Sequence, residues 1–281
     1  MNPPKLLALY GLKWNPFHSD VPVDALWRPP ELDAFFWRIE NLAREGGFAL
    51  VTGEPGTGKS VALRLVAHHL EALPDLAPAV LTRPQSGVAD FYRELGQLFG
   101  VPLNPHNRWA GFQALRETWL AHVEATRLRR VLLVDEAQEV PATVLAELRI
   151  LASADFDSRS LLTVVLCGDQ RLTQHFRHQD LLPVASRIRT RLELGYRTPK
   201  QLADWLAHVL AQAGQPRLMT DELVTTLTEH AAGNLRVLAN LAQELLATAA
   251  HRELSQIDQK LYLELFTPPT QARPRSAGER P

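Results

Sequence analysis

Eight consecutive residues, Gly53-Glu54-Pro55-Gly56-Thr57-Gly58-Lys59-Ser60, have the types and spacing to hold a phosphate. They satisfy G-x-x-x-x-G-K-[ST], directly after an apolar stretch and directly before an amphipathic one. Glycines at 56 and 58 let backbone N–H groups turn inward around phosphate oxygens, and the N-terminus of the next helix adds partial positive charge. Lys59 would reach the β- and γ-phosphates. The Ser60 hydroxyl is the expected magnesium ligand, and Pro55 stiffens the loop with φ at about −65°. The bland alternative is a glycine-rich strand-to-helix turn with an incidental lysine and serine.

A second run, Arg129 to Gln138 (RRVLLVDEAQ), is an apolar strand ending in two acids. Ligands of open α/β sheets bind at the carboxyl ends of the strands, so this run brings acids to the phosphate. Asp135 would hold magnesium directly or through water, and Glu136 would polarise an attacking water as general base. Alone, the pair could be two solvated acids capping the following helix.

The elements that position these residues follow from apolar periodicity. Strands are expected at Phe48 to Thr52, Ala79 to Thr82, Val131 to Val134, Leu161 to Cys167 and Thr190 to Leu194. Helices are expected after Pro29-Pro30, where Leu32, Phe35, Phe36, Ile39, Leu42 and Ala43 share a face, and through VALRLVAHHLEAL, where Leu63, Val66, Leu70 and Leu73 do. Further helical patterns cover about Val88 to Phe99, Trp109 to Ala125 and Ala142 to Ala152. Strand, loop, helix, strand is the parallel βαβ pattern. After Tyr196 the texture is helix only: Pro199 to Ala213, Asp221 to Ala231, Leu235 to Ala250 and Ser255 to Phe266. The organisation expected is an arm and leading helix (1–45), an α/β nucleotide-binding domain (46–196), a helical lid (197–266) and a disordered tail (267–281). The arm over residues 1–30 reads as an extended, proline-rich lead-in.

With 281 residues, 46% of them hydrophobic and 22% charged, the composition is that of an ordinary globular chain and excludes disorder and fibre. A formal net charge of −1 argues against a positive field over the whole surface, though a local basic groove stays open. The single cysteine, Cys167, has no internal disulfide partner and the start lacks a signal peptide's pattern, so a reducing cytoplasm is the expected compartment. No apolar run approaches the roughly 20 residues that span a bilayer, so no direct membrane role is expected.

Taken together and in order, GEPGTGKS, VLLVDEAQ, SRIRTRLEL and GNLRVLANL resemble the AAA+ ATPases, and within them the branch of ExeA-type secretion ATPases and transposition helpers of the TniB and TnsC kind. The opening YGLKWNPF looks like that branch too. The resemblance runs from about Leu9 to Phe266. It implies an α/β fold, an AAA+ P-loop NTPase with a parallel five-stranded sheet and a C-terminal all-helical lid, using ATP and Mg2+. By the same resemblance Arg187 looks like an arginine finger reaching a neighbour's γ-phosphate, with Arg189 as backup, and Arg236 matches the lid arginine that reads nucleotide state. A planar, permanently charged guanidinium suits charge developing on a transferring phosphoryl group. Arg187, Arg189 and Arg191, at spacing two, could equally be one solvent or DNA-facing side of a strand.

One position departs from the family. After the Leu161 to Cys167 strand a neutral polar residue usually orients the attacking water, whereas this sequence has Gly168-Asp169-Gln170. An Asp there would repel the γ-phosphate unless it bound magnesium or turned away, with Gln170 the substitute. Other features carry less. Among the ten histidines, His68-His69 and His175/His178 show no metal framework. Cys167 reads as a small buried hydrophobe. Arg127, Arg129 and Arg130 form a basic knot that is either a DNA contact or a solvated loop.

The expected function is an ATP-hydrolysing AAA+ regulator that forms ATP-dependent homo-oligomers, as ring or filament, on double-stranded DNA and recruits or activates a transposase. Secretion ATPases of the ExeA kind normally add a transmembrane segment and a cell-wall-binding portion, which do not follow the lid here. The alternative is an ExeA-like or signalling ATPase acting on protein partners, and a third reading is a nucleotide-bound switch with negligible turnover.

Overall fold

The computed structural model describes residues 3–102, 107–155 and 158–266. The elements in chain order are α1 (Pro3–Tyr10), α2 (Glu31–Glu45), β1 (Gly47–Gly53), α3 (Lys59–Glu71), β2 (Leu76–Leu81), α4 (Val88–Phe99), α5 (Arg108–Ala125), β3 (Arg129–Val134) and α6 (Ala142–Ala152). They continue with the two-residue strands β4 (Ser153–Ala154) and β5 (Arg159–Ser160), then β6 (Leu162–Gly168), α7 (Gln170–His175), α8 (Leu182–Ala185) and β7 (Ile188–Leu194). Four helices close the described chain: α9 (Pro199–Ala213), α10 (Asp221–His230), α11 (Leu235–His251) and α12 (Gln259–Phe266). No helix among the described residues is long and apolar enough to cross a membrane.

Two units result. The first comprises Pro22–Arg197 together with Asn234–Arg236. Its centre is a five-stranded sheet of order β2-β3-β6-β1-β7, every pairing parallel. The alternation along each strand explains the unbroken apolar runs. Phe48, Leu50, Leu132, Val134, Val164 and Leu166 pack on one face with α4, α5 and α6 residues such as Phe91, Leu95, Trp119 and Leu148. Ala49, Val51, Val131, Leu133, Val165 and Cys167 pack on the other with Leu32, Phe35, Ile39, Val66 and Leu70 of α2 and α3. A strand covered on both faces needs apolar side chains at every position, which is how parallel sheets read.

The outer strands differ from the central three. β2 pairs only with β3 and carries Pro78, whereas β7 pairs only with β1 and alternates buried Thr190, Leu192 and Leu194 with exposed Arg189, Arg191 and Glu193. The sequence reading started the fifth strand at Thr190. The ladder begins two residues earlier, at Ile188 opposite Phe48, because edge pairing with β1 extends past the apolar alternation. Helices α7 and α8 are also additional to the sequence reading, being too short to display a helical period.

The second unit comprises the residues up to Val21, Thr198–Gly233 and the chain from Val237. Leu202, Leu206 and Leu210 of α9, Leu223 and Leu227 of α10, Leu238, Leu245 and Leu246 of α11, and Leu261 of α12 are all buried. A capping box starts α9, with the Thr198 hydroxyl accepting the Gln201 N–H while Gln201 accepts the Thr198 N–H. The extended arm expected over residues 1–30 is corrected here. α1 is helical, the Lys13 N–H donates to the Ala213 carbonyl at 2.9 Å, and the Phe17 ring lies 6.2 Å from that of Trp205. Apolar Leu6, Tyr10, Leu12 and Phe17 are buried and hold the segment on the helical unit. The tail expected over 267–281 lies outside the described residues.

Candidate nucleotide site

β1 ends at Gly53 and the chain turns through Glu54 to Gly58 into α3, whose first residues are Lys59 and Ser60. Gly56 and Gly58 have φ of 86° and 97°, a left-handed region open to glycine. The loop is held from within. The Thr57 hydroxyl donates to the Glu54 carbonyl at 2.8 Å, and the Lys59 ammonium donates to the same carbonyl at 3.2 Å. It is also held from residues distant in the chain. The Asn234 amide donates to the Pro55 carbonyl at 3.0 Å, and the Arg236 N–H donates to the Gly56 carbonyl at 3.3 Å. A Cβ on Gly56 would collide with the Asn234 amide.

The acids arrive at the same edge. β3 ends at Val134, so Asp135 and Glu136 leave the carboxyl end of a strand two places from β1, with β6 between. At the usual spacing that is about 10 Å, room for a phosphate and an ion. The convergence is electrostatic as well as topological. Burial pushes the Cys167 thiol far above its usual range, with Asp135 and Glu136 raising it further and Lys59 opposing them. Cys167 therefore stays a neutral thiol and does not compete as a soft ligand. The Asp135 Oδ1 accepts the Glu136 N–H at 2.9 Å. Its other oxygen and the exposed Ser60 hydroxyl are hard donors of the kind magnesium takes.

Glu136 has a left-handed backbone, φ 50°, uncommon for a residue other than glycine. Its carboxylate accepts a hydrogen bond from the Gln138 amide, and the Gln138 Oε1 accepts the Asp169 N–H at 3.2 Å. Asp169 itself turns away. Its carboxylate caps α7 by accepting the Arg171 N–H at 2.9 Å and pairs with the Arg171 side chain at 2.9 Å, while Gln170 is exposed in the first turn. The residue that meets Glu136 was not singled out in the sequence; its one signal is a glutamine two places beyond the second acid.

Residues 42–176 match the family profile described as the AAA domain, a stretch holding the phosphate loop, both acids and Gln138. These residues are an AAA domain. Sheet order and flanking helices give the AAA+ P-loop fold. The chain is 32% identical over 218 residues to general secretion pathway protein A of Aeromonas hydrophila, covering 75% of this chain and 39% of that protein. It thus spans about two fifths of the length of that relative. In fold it is similar to Cdc6p from Pyrobaculum aerophilum, with a TM-score of 0.68 at 16% identity over 86% of this chain and 67% of that one. It is also similar to the Drosophila ORC bound to DNA, with a TM-score of 0.66 at 20% identity over 92% and 64% of the two chains.

Arg187, Arg189 and Arg236 lie outside the matched stretch, in the first unit. Arg187 precedes β7, whose Ile188 is level with Phe48 at the start of β1, while the phosphate loop follows Gly53 at the far end. Five strand residues separate those levels, about 17 Å, beyond the reach of an arginine to its own loop. The Arg187 guanidinium donates to the Pro183 carbonyl. Arg189 is exposed on β7 and paired with Glu45 at 3.0 Å. Arg236 is exposed, with its backbone on the loop. The basic knot is largely absorbed into the fold. Arg129 donates to the Ser160 carbonyl at 3.1 Å and Arg130 lies 5.7 Å over the Phe99 ring, leaving Arg127 alone exposed. Burial lowers the pKa of both Arg129 and Arg130 from the usual range.

Proposed function

We propose that this chain binds and hydrolyses ATP with magnesium and works as an ATP-dependent homo-oligomer in the cytoplasm. The observation that carries the reading is the meeting of Lys59, Ser60, Asp135 and Glu136 at one edge of the sheet. Gly53 to Ser60 would wrap the phosphates, with Lys59 on the β- and γ-phosphates, and Ser60 with Asp135 would hold the magnesium. The metal supplies charge neutralisation on the phosphates; Glu136 takes the proton of the attacking water. Arg187, too far from its own loop, would serve a neighbour, with Arg189 as backup and Arg236 reading the bound nucleotide.

The client we propose is a protein partner. The 32% identity to a general secretion pathway protein supports it, whereas the likeness to DNA-bound ORC, at 20%, is one of fold. Absorption of Arg129 and Arg130 also removes most of the basic surface that the DNA reading used. DNA with a transposase as client is the alternative outcome of the test.

Phosphate release and sedimentation of wild type, Lys59→Ala and Glu136→Gln, each with Mg-ATP and with or without duplex DNA, test this reading. Lys59→Ala should lose ATP binding, and Glu136→Gln should bind normally while turnover falls at least a hundredfold. Equal turnover of wild type and Glu136→Gln would remove Glu136 as base. ATP-dependent assembly on DNA at low salt that high salt abolishes would move the client to nucleic acid.

A further inference from the structure

We propose that Gln138 is a positioning residue for Glu136, fixing the water-polarising carboxylate from the turn after β3. The inference rests on the hydrolytic reading of the same site. An amide has one end that accepts and one that donates. The Asp169 N–H, at 3.2 Å, claims the oxygen, so the nitrogen must be the end that faces Glu136. A neutral donor therefore meets the carboxylate on one oxygen and leaves the other for water. Gln138 is only 5% exposed, so its side chain has no freedom to leave.

Three features make this a built arrangement. A Cβ at Gly168 would stand 2.5 Å from the Gln138 Oε1 and 3.0 Å from the Leu172 Cδ2, so glycine there gives Gln138 its room. Asp169, the alternative group at this edge, is committed to α7 and to Arg171. Glu136 stands on a left-handed backbone, a conformation that persists only where the surroundings hold it. A recess of about 750 Å³ opens on Glu136 and Gln138, bordered by Thr82, Arg83, Ser86 and Arg171, and gives water a route to the free carboxylate oxygen. Gln138 thereby ties the end of β6 to the base that projects from β3.

The test is steady-state phosphate release at saturating Mg-ATP, with affinity for a fluorescent ATP analogue and melting temperature measured alongside. The variants are Gln138→Met, which keeps the bulk without the hydrogen bonds, Gln138→Ala, Gly168→Ala, and the last two combined. Both Gln138 variants should lower kcat at least tenfold with KM and analogue affinity within twofold. Gly168→Ala should lower kcat in the wild-type background and by a clearly smaller factor in the Gln138→Ala background, where the contact with Leu172 remains but that with Gln138 is gone. Turnover of Gln138→Met within twofold of wild type overturns the proposal. So does an equal penalty of Gly168→Ala in both backgrounds. Wild type that binds the analogue yet releases no phosphate overturns the hydrolytic reading, and this inference with it.

Discussion

The side-chain amide of Asn234 donates to the backbone carbonyl of Pro55 at 3.0 Å, joining residues 179 apart in the chain. The same side chain accepts the Arg236 N–H at 3.0 Å, and Arg236 in turn donates to Gly56. The phosphate loop is thus shaped by Asn234 and Arg236 as well as by its own glycines.

Gly56→Ala is expected to weaken an ATP analogue at least tenfold, because it adds a side chain at φ 86° and displaces Asn234. Asn234→Ala removes one to two hydrogen bonds at about 1 kcal/mol each and should weaken binding by two- to tenfold. Anisotropy titrations of the two variants read both numbers. Unchanged affinity in Asn234→Ala would mean that the loop keeps its shape unaided.

Arg187→Ala should depress turnover with little change in nucleotide affinity. Mixed with Lys59→Ala subunits, which keep intact arginines but bind no ATP, it should recover activity, since each protein supplies what the other lacks. Titrating the mixing ratio gives the measurement; co-assembled mixtures without recovery at any ratio would show that Arg187 does not act across a subunit boundary. Arg189→Ala should cost less, its partner being Glu45.

The basic knot yields a stability prediction in place of a DNA one. Arg129→Ala loses its bond to Ser160 and Arg130→Ala its packing on Phe99. Each should destabilise by about 1 kcal/mol, or about 2–4 °C in melting temperature. Arg127→Glu should stay within about 0.5 kcal/mol of wild type. A melting series of the three settles the ranking, and a drop for Arg127→Glu as large as for the others would contradict the assignment.

Cys167 should resist alkylation. It is fully buried and its thiol is held in the protonated form by burial first and by Asp135 second. Iodoacetamide at pH 8 should leave the native chain unlabelled over an hour and label it fully in guanidinium chloride, as intact mass would show. Rapid native labelling would place Cys167 in an opening segment.

The turn from β1 into α3 and the strand that ends before Asp135 and Glu136 were legible because their patterns are local: one stretch carries the glycines, lysine and serine, another an apolar run and two carboxylates. The α2 face from Leu32 to Ala43 was legible for a similar reason, since one helical period records one buried stripe. Gln138 was not. Its role depends on β3 lying beside β6, on Gly168 giving it room and on Asp169 offering a backbone N–H, none of which a single stretch records. Asn234 and Pro55 escaped for the same reason of distance, and α1 because prolines at its start concealed a helix whose following segment is tied at Lys13 to the distant Ala213.

The two outer strands carry a consequence for solubility. An open sheet presents unpaired backbone groups along both margins, an invitation for another chain to add itself and propagate. Here one margin is interrupted by Pro78, which offers no N–H, and the other projects Arg189, Arg191 and Glu193 beside its backbone. Concentrated protein should therefore stay dispersed even during refolding. A chain with valine at 78 and threonine at 189, 191 and 193 should retain the phosphate loop and yet precipitate as intermolecular β-sheet.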